Sequence, residues 1–326
     1  MLFRSPCVTG EDSPRQPGNN TDTNCNADGV TTDVDQPNAQ ITSPFVGNPD
    51  LKPETSHSFS AGFVFSPSFL RGLDVTVDFF RIYLNNFITP VDPQFVLDSC
   101  YSNDPDHRNY CDQIVRDPNN NNRLVLVYSR FQNFAKVVTG GVDFYVGYTL
   151  PTPEDLGRFK IASSATFLSS YDQYLPGTTG EIEKQGITGF NNGGDNIYPR
   201  WKINPTLTWS MGGLEATWNT RIVWHVSESC FDGVDPSLTD LGLCSEPNRL
   251  AADGSPDPRN KMRTVAKHDL QLAYKFAPSR LTIGVGANNI FNTDPPTSYS
   301  AFANSFDASD YWMPGTLIYA KIQKEW

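Results

Sequence analysis

Hydrophobic and polar residues alternate through nine stretches between about Glu54 and Trp326, and the intervals between the stretches run short, long, short, long. Alternation with period two marks a β-strand, whose successive side chains point to opposite faces. Phe59, Ala61, Phe63 and Phe65 share one face, with Ser58, Ser60 and Gly62 on the other. Leu73, Val75, Val77 and Phe79 stand against Asp74, Thr76 and Asp78, and Val142, Phe144, Val146 and Tyr148 against Gly141, Asp143 and Gly147. The same reading gives Phe159–Phe167, Ile203–Trp209, Leu214–Trp224, Leu270–Phe276, Leu281–Ala287 and Ile318–Trp326. The pattern predicts an all-β chain of about nine long, antiparallel, up-and-down strands.

The intervals sharpen the architecture. Residues 66–72, 151–157, 211–213 and 277–279 are tight and rich in Pro, Gly and Ser, as turns are. Residues 88–132, 176–196, 229–262 and 292–314 are long and rich in Asn, Asp, Gly and Pro. The polar face carries charge in mid-strand at Asp74, Asp78, Asp143, Glu215 and Arg221, as a wet pore wall permits. Aromatics collect near strand ends at Trp201, Trp209, Trp224, Tyr148 and Trp326, as girdles at two lipid–water interfaces do. The strands read as roughly 13 to 19 residues, beyond the ~9–11 that cross the hydrocarbon. These features predict a segment of transmembrane β-barrel with short periplasmic turns and long extracellular loops. A soluble β-sandwich alternates too, so a secreted β-domain that binds glycans is the competing reading.

The chain has 326 residues, a formal net charge of −11 and 38% hydrophobic residues, with a mean hydropathy of −0.42. Its acidic balance excludes nucleic acid as a partner. The six cysteines fall in local pairs, Cys7 with Cys25, Cys100 with Cys111 and Cys230 with Cys244, each inside one loop region. Strands would hold different loops apart, so local disulfides are favoured, in an oxidising compartment. The spacing is not that of a metal site, and no cofactor is expected. The first residues, Met1 to Cys7, lack the apolar core and cleavage site of a signal peptide. An exported protein needs one, so the chain is expected to be an incomplete precursor. Residues 1–53 show no clean strand and read as one extracellular loop region entered part-way, with the barrel portion spanning 54–326.

Gly47-Asn48-Pro49-Asp50-Leu51-Lys52-Pro53-Glu54 resembles a motif that leads into a barrel strand of TonB-dependent outer-membrane receptors. Asn133 through Gly141-Val142-Asp143 is similar to another strand of that family, and Gly286-Ala287-Asn288-Asn289-Ile290-Phe291-Asn292 to one near its end. Trp326 is similar to the C-terminal aromatic that the barrel-assembly machinery recognises, whereas Lys324 stands where an apolar residue is usual. The resemblance covers about residues 44–326 and implies the last nine strands of a 22-stranded barrel. It implies an open part of that barrel, in the outer membrane of a Gram-negative bacterium, with outer-membrane lipid around it. It also implies a truncated gene product or fragment, since the plug domain and TonB box of the family are not in this sequence. The TonB complex would couple only through those missing parts. The implied function is energy-coupled uptake of a large extracellular solute such as a siderophore, cobalamin or an oligosaccharide.

Loop aromatics are the candidate ligand contacts, foremost Tyr101, Tyr110, Tyr171, Tyr174, Tyr299 and Trp312, with Phe190, Tyr198, Phe302, Phe306 and Tyr311 beside them. Loop packing is their competing role. The loop carboxylates Asp104, Asp106, Asp195, Asp307 and Asp310 would repel an anionic complex, which favours a neutral or saccharide ligand. No enzyme signature is present: His107 lies near Asp104 and Asp106 as plain loop polarity, and His225 and His268 read as facing the polar side near strand ends.

Overall fold

A computed structural model describes residues 6–7, 15–30, 41–103, 108–133, 136–176, 182–186, 189–191, 197–230, 237–252, 254–299, 305–308, 310–311 and 315–325. One large sheet takes up nine strands in chain order: β1 Thr55–Phe65, β2 Leu73–Asn85, β3 Lys136–Thr149, β4 Arg158–Pro176, β5 Trp201–Met211, β6 Leu214–Val223, β7 Val265–Phe276, β8 Leu281–Asn288 and β9 Leu317–Lys324. Each strand pairs with its neighbours in sequence, and the ladders from β4 to β9 are antiparallel. A short strand, Ile182–Gly186, adds to β4. The path ends at β1 and at β9, which do not pair with each other, so the sheet is open. Nine up-and-down strands are what the alternation predicts, and an open sheet is what the family resemblance implies.

Strand length departs from the expectation. β2, β3 and β4 have 13, 14 and 19 residues. β1 and β5 have 11, β7 has 12, β6 has 10, and β8 and β9 have 8 each. Alternation outlasts pairing. β8 ends where Asn289 takes a left-handed φ of 50°, and β9 runs only as far as its ladder from Lys324 to Leu317 with β8. Trp224 lies just beyond β6 for the same reason, its N–H donating to the Trp201 carbonyl at 3.0 Å.

Register aligns the faces into rows. Phe159, Trp209, Ala216, Leu272, Val285 and Ala320 are successive partners, as are Ile161, Leu207, Trp218, Leu270, Ala287 and Ile318. Offset by one residue runs the polar row Lys160, Thr208, Thr217, Gln271, Gly286 and Tyr319. Among the described residues no layer of protein covers the apolar rows: Val285 is 52% exposed and Ile318 78%. Val137, Val138 and Val265, all at the long-loop ends of their strands, are the only apolar residues of β1–β9 buried among the described residues. His268 belongs to the apolar side, contrary to the reading above. It pairs with Thr220 two residues along from the Trp218–Leu270 pair, hence on the same face, and its ring lies 5.5 Å from Trp218 and 5.2 Å from Phe291.

The short connections close as their composition requires. Met211 and Leu214 pair directly across Gly212-Gly213, with Gly212 at a φ of +59°, the conformation that the first central residue of a two-residue hairpin needs. The long ones carry structure that alternation does not announce. Residues 1–53 contain a helix, α1 Asn20–Ala27, and the 88–132 interval contains α2 Pro93–Cys100 and the strands Ile88–Pro90, Ile114–Asp117, Arg123–Val127 and Ser129–Asn133. Asp92 caps α2, accepting the N–H groups of Gln94 and Phe95 at 2.8 and 3.1 Å, with Pro93 opening the helix.

The chain divides into two compact units. The first comprises Met1–His57, Tyr83–Val137 and Gln173–Gln185; its core is Cys7, Cys25, Val30, Val91, Val96, Leu97, Cys100, Tyr101, Leu124 and Val127. The second comprises Ser58–Ile82, Val138–Asp172 and Gly186–Trp326, with a core of Ile197, Val226, Met262, Val265, Phe306 and Tyr311.

Gly286 lies in the polar row beneath the ring of its partner Tyr319, whose hydroxyl donates to Gln271 at 3.3 Å. A β-carbon at 286 would overlap that ring. Gly286→Val should therefore destabilise the β7–β9 hairpins by about 1–3 kcal/mol, read as a lower urea midpoint of the refolded chain in detergent, whereas Gly286→Val with Tyr319→Ala should recover most of the loss.

Candidate functional site

Two sets of loops carry the candidate residues. In the first unit, Cys7–Cys25 and Cys100–Cys111 are disulfides, closing 18 and 11 residues. α1 is capped by Asn19, whose side chain accepts from the Asp22 N–H at 2.8 Å. Arg15, almost wholly buried, spans the first disulfide loop: it donates to Asp22 at 2.7 Å, to the Cys7 carbonyl at 3.0 Å and to Asn26 at 2.9 Å. Asn20 then ties this loop to the next through Asn103, at 3.0 and 2.7 Å.

Tyr101 is part of that core and not of a ligand surface. It is 2% exposed; its hydroxyl donates to Asp28 at 2.8 Å and accepts from Arg116 at 3.0 Å, with the guanidinium 5.2 Å over the ring. The sequence reading named it first among the loop aromatics that could meet a ligand; the fold gives it the competing role of loop packing, since α2 presents Val96, Leu97 and Cys100 to the same interior. Tyr110 is half-buried, 5.7 Å from Phe95. Tyr174 lies under the Lys136 ammonium at 4.5 Å.

The motif at residues 48–54 is a set of backbone locks. Asn48 accepts the Asp50 N–H at 2.9 Å, which turns the chain. Asn133 accepts the Lys52 N–H at 2.7 Å and donates to the carbonyls of Lys52 and Asn86, both at 2.8 Å. Glu54 accepts the Ile88 N–H at 2.7 Å. Pro49, Leu51 and Pro53 lie between these locks. Segments that are far apart in sequence thus meet through one asparagine, whose short amide carries an acceptor oxygen and an NH2 with two donor hydrogens.

In the second unit Cys230–Cys244 closes 14 residues. Glu228, fully buried, gathers the loops: it accepts from Asn260 at 2.8 Å, from the Ser298 hydroxyl at 2.8 Å and from the Tyr299 N–H at 3.2 Å. Sequence reasoning missed it, because a lone carboxylate in a short alternating stretch looks solvated. Tyr299 keeps its ring 44% exposed. Tyr171 stacks on Tyr198 at 4.0 Å. Phe306, Asp307 and Tyr311 are buried, so the first and last pack the loop core. Asp310 pairs with Lys202. Burial pushes the Asp310 carboxyl above its usual range against the pull of Lys202. It raises the Tyr198 and Tyr311 phenols as well, with help from the charges of Asp307 and Asp310. Burial, then the charge of Lys261, lowers His225. No group of three His, Cys, Asp or Glu fit to hold a metal occurs among the described residues. Trp312, Trp326, Phe302, Asp104, Asp106, His107 and Asp195 lie outside the described residues, as does the side chain of Phe190.

Each unit thus carries its own disulfide-braced loops, with partly accessible tyrosines at Tyr110 and Tyr174 in the first and at Tyr171, Tyr198 and Tyr299 in the second. The family described as "TonB dependent receptor-like, beta-barrel" matches residues 4–290. No curated protein matches the chain in sequence. Among solved structures it is similar to the ferric enterobactin receptor PfeA of Pseudomonas aeruginosa, at 19% identity and a TM-score of 0.49, over 85% of this chain and 32% of that one. It is similar also to the siderophore receptor PirA from Acinetobacter baumannii, at 16% and 0.48, and to the FrpB iron transporter from Neisseria meningitidis, at 10% and 0.48, with the same coverage of 85% and 32% in each case. The chain spans about a third of the length of these structures.

Removing Asn133 should open the motif. Asn133→Ala is expected to cost roughly 1–3 kcal/mol and to speed hydrogen exchange at the Lys52 amide, while Asn133→Asp, which keeps the acceptor and loses both donated bonds, should protect that amide to an intermediate degree.

Burial raises the Tyr101 phenol from 10.0 to about 12, opposed by Arg116 and reinforced by Asp28. Its contribution is therefore full below pH 10 and lost as the pH rises towards 12. An alkaline titration of the first unit, followed by tyrosinate absorbance and exchange of α2 amides, should show roughly 3 kcal/mol lost across that window, and Tyr101→Phe should flatten this part of the profile.

Proposed function

Since its match runs over residues 4–290, the chain belongs to the TonB-dependent receptor β-barrel family, and from this premise we propose that it forms part of the wall and extracellular loops of an outer-membrane receptor for uptake of a large solute. One observation carries the reading: among the described residues the apolar faces of β1–β9 are exposed, and from β4 to β9 they line up in regular, continuous rows. In water such a face would drive aggregation; against lipid it needs no further partner. The same observation counts against a soluble glycan-binding domain, whose apolar rows would meet across a core.

On this reading the outer membrane of a Gram-negative cell is the site, lipid surrounds the apolar face, and the barrel-assembly machinery inserts the chain. The TonB complex supplies energy through a plug and TonB box. Tyr299, with the Tyr171–Tyr198 stack and Tyr174, are the ligand-contact candidates that the fold leaves partly accessible. The carboxylate argument for a neutral ligand weakens, because Asp307 is buried and Asp310 is paired with Lys202. The ligand class is a siderophore, cobalamin or an oligosaccharide, and the role is transport without catalysis.

Disrupting the gene in its own cell tests this directly. Uptake of one of those three solute classes should fall to the level seen with a protonophore, and the other two should be unchanged. Wild-type uptake of all three in the disrupted strain would sink the assignment.

A further inference from the structure

The apolar face is not level near the short turn that joins β7 to β8. Leu214, Leu272, Tyr274, Phe276, Ile283 and Val285 line a groove of about 260 Å³. The Tyr274 and Phe276 rings meet edge to face at 4.6 Å and form one wall. Register fixes what lies at the rim. Tyr274, Ile283 and Ile322 are partners in one row, and Phe276, Leu281 and Lys324 in the next row outward. Lys324 therefore sits on the apolar face, two residues from Ile322, at the end of the strand.

This lysine is the residue that departs from the family pattern. Its Nζ donates to the Ser279 carbonyl at 2.5 Å, which holds the ammonium at the turn instead of in the polar face. Arg280, exposed and held at a φ of 50°, belongs to the same turn. Lys275, by contrast, is on the polar side and paired with Glu325 at 3.3 Å. The apolar side of this rim thus carries Lys324, with a second exposed cation, Arg280, in the adjoining turn, beside a groove lined by apolar side chains. A long basic side chain at the edge of an apolar surface keeps its head at the polar boundary, where lipid phosphates lie.

We propose that this rim binds one anionic phospholipid, with its phosphate at Lys324 and Arg280 and an acyl chain in the groove. The inference rests on the membrane reading above and adds a specific lipid to it. It also gives a reason for a charged residue at a position where an apolar one would face hydrocarbon.

The test compares phosphatidylglycerol with phosphatidylcholine at equal mole fraction in detergent micelles, read by native mass spectrometry of the whole chain. Wild type should retain phosphatidylglycerol preferentially, and Lys324→Leu or Arg280→Gln should each reduce that preference about fivefold. Lys275→Gln should leave it unchanged, and Ile283→Trp, which fills the groove, should lower retention of both lipids. Arg280→Gln covers the case in which Lys324→Leu disturbs assembly, because it leaves β9 untouched. Equal retention of the two lipids by wild type, or an equal loss with Lys275→Gln, overturns the proposal. A chain that is monodisperse without detergent would instead fail the membrane reading itself.

Discussion

Among the described residues the apolar rows of the nine-stranded sheet have no layer of protein packed on them, and the other features follow from that. A sheet hydrophobic on one face must bury it somewhere, and in a soluble domain a second layer of the same chain does so. Here the buried clusters among the described residues lie in the loops and at the loop ends of strands, around Val96, Leu97 and Tyr101 in one unit and around Ile197, Val226 and Met262 in the other. The sheet has inverted the usual arrangement. Its rows, from Phe159 through Val285 to Ala320, are aligned as carefully as a core, yet they face outward. Only a solvent without hydrogen bonds of its own makes such a face stable. That solvent in turn demands that backbone groups be paired by neighbouring strands, which is why each strand takes its sequence neighbours as partners.

Where the ladders stop, side chains take over the backbone pairing, and this explains the residue types of the family-like motifs. A strand end leaves N–H and C=O groups that need partners. Asn133 meets both groups of Lys52 and the carbonyl of Asn86; Glu54 meets the Ile88 N–H. Near the other edge, Asn289 does similar work in a left-handed conformation. Its N–H donates to Asp269 at 2.8 Å, its side chain brackets Thr293 at 3.1 and 2.8 Å, and its carbonyl accepts from Thr316 at 2.8 Å. Asparagine suits both sites because it donates, accepts and tolerates a positive φ. These motifs hold the fold at its seams.

The sheet was legible because one period governs it. Side chains that face lipid must be apolar and those opposite must not be, so Leu207, Trp218 and Leu270 announce their strands without knowledge of any partner. Strand ends were less legible, since they depend on how far the neighbour runs: β9 stops with its ladder although its alternation continues. The loops were least legible. Their order comes from non-local links such as Arg15 with the Cys7 carbonyl, Asn20 with Asn103 and Tyr101 with Asp28, which leave no periodic trace. One local signal was available and unused: Asp92 before Pro93 is the start of a helix, and α2 begins there. His268 was misjudged for a different reason. Polarity of the residue outweighed parity along β7, and parity was the better guide.

The two parts of the molecule are therefore stable for different reasons. The loop units bury apolar side chains from water, cap their helices and close three disulfides over 18, 11 and 14 residues, each worth roughly 3 kcal/mol in the chain-entropy account. The sheet, whose apolar face is uncovered, owes little to burial within the chain and much to register. A change such as a bulky side chain at Gly286 acts through the fit of one strand against the next, whereas loss of a disulfide acts through the freedom of an unfolded loop. The loops are braced by disulfides and by polar links between residues distant in sequence, such as Asn20 with Asn103 and Tyr101 with Asp28, none of which draws on the rows of β4–β9.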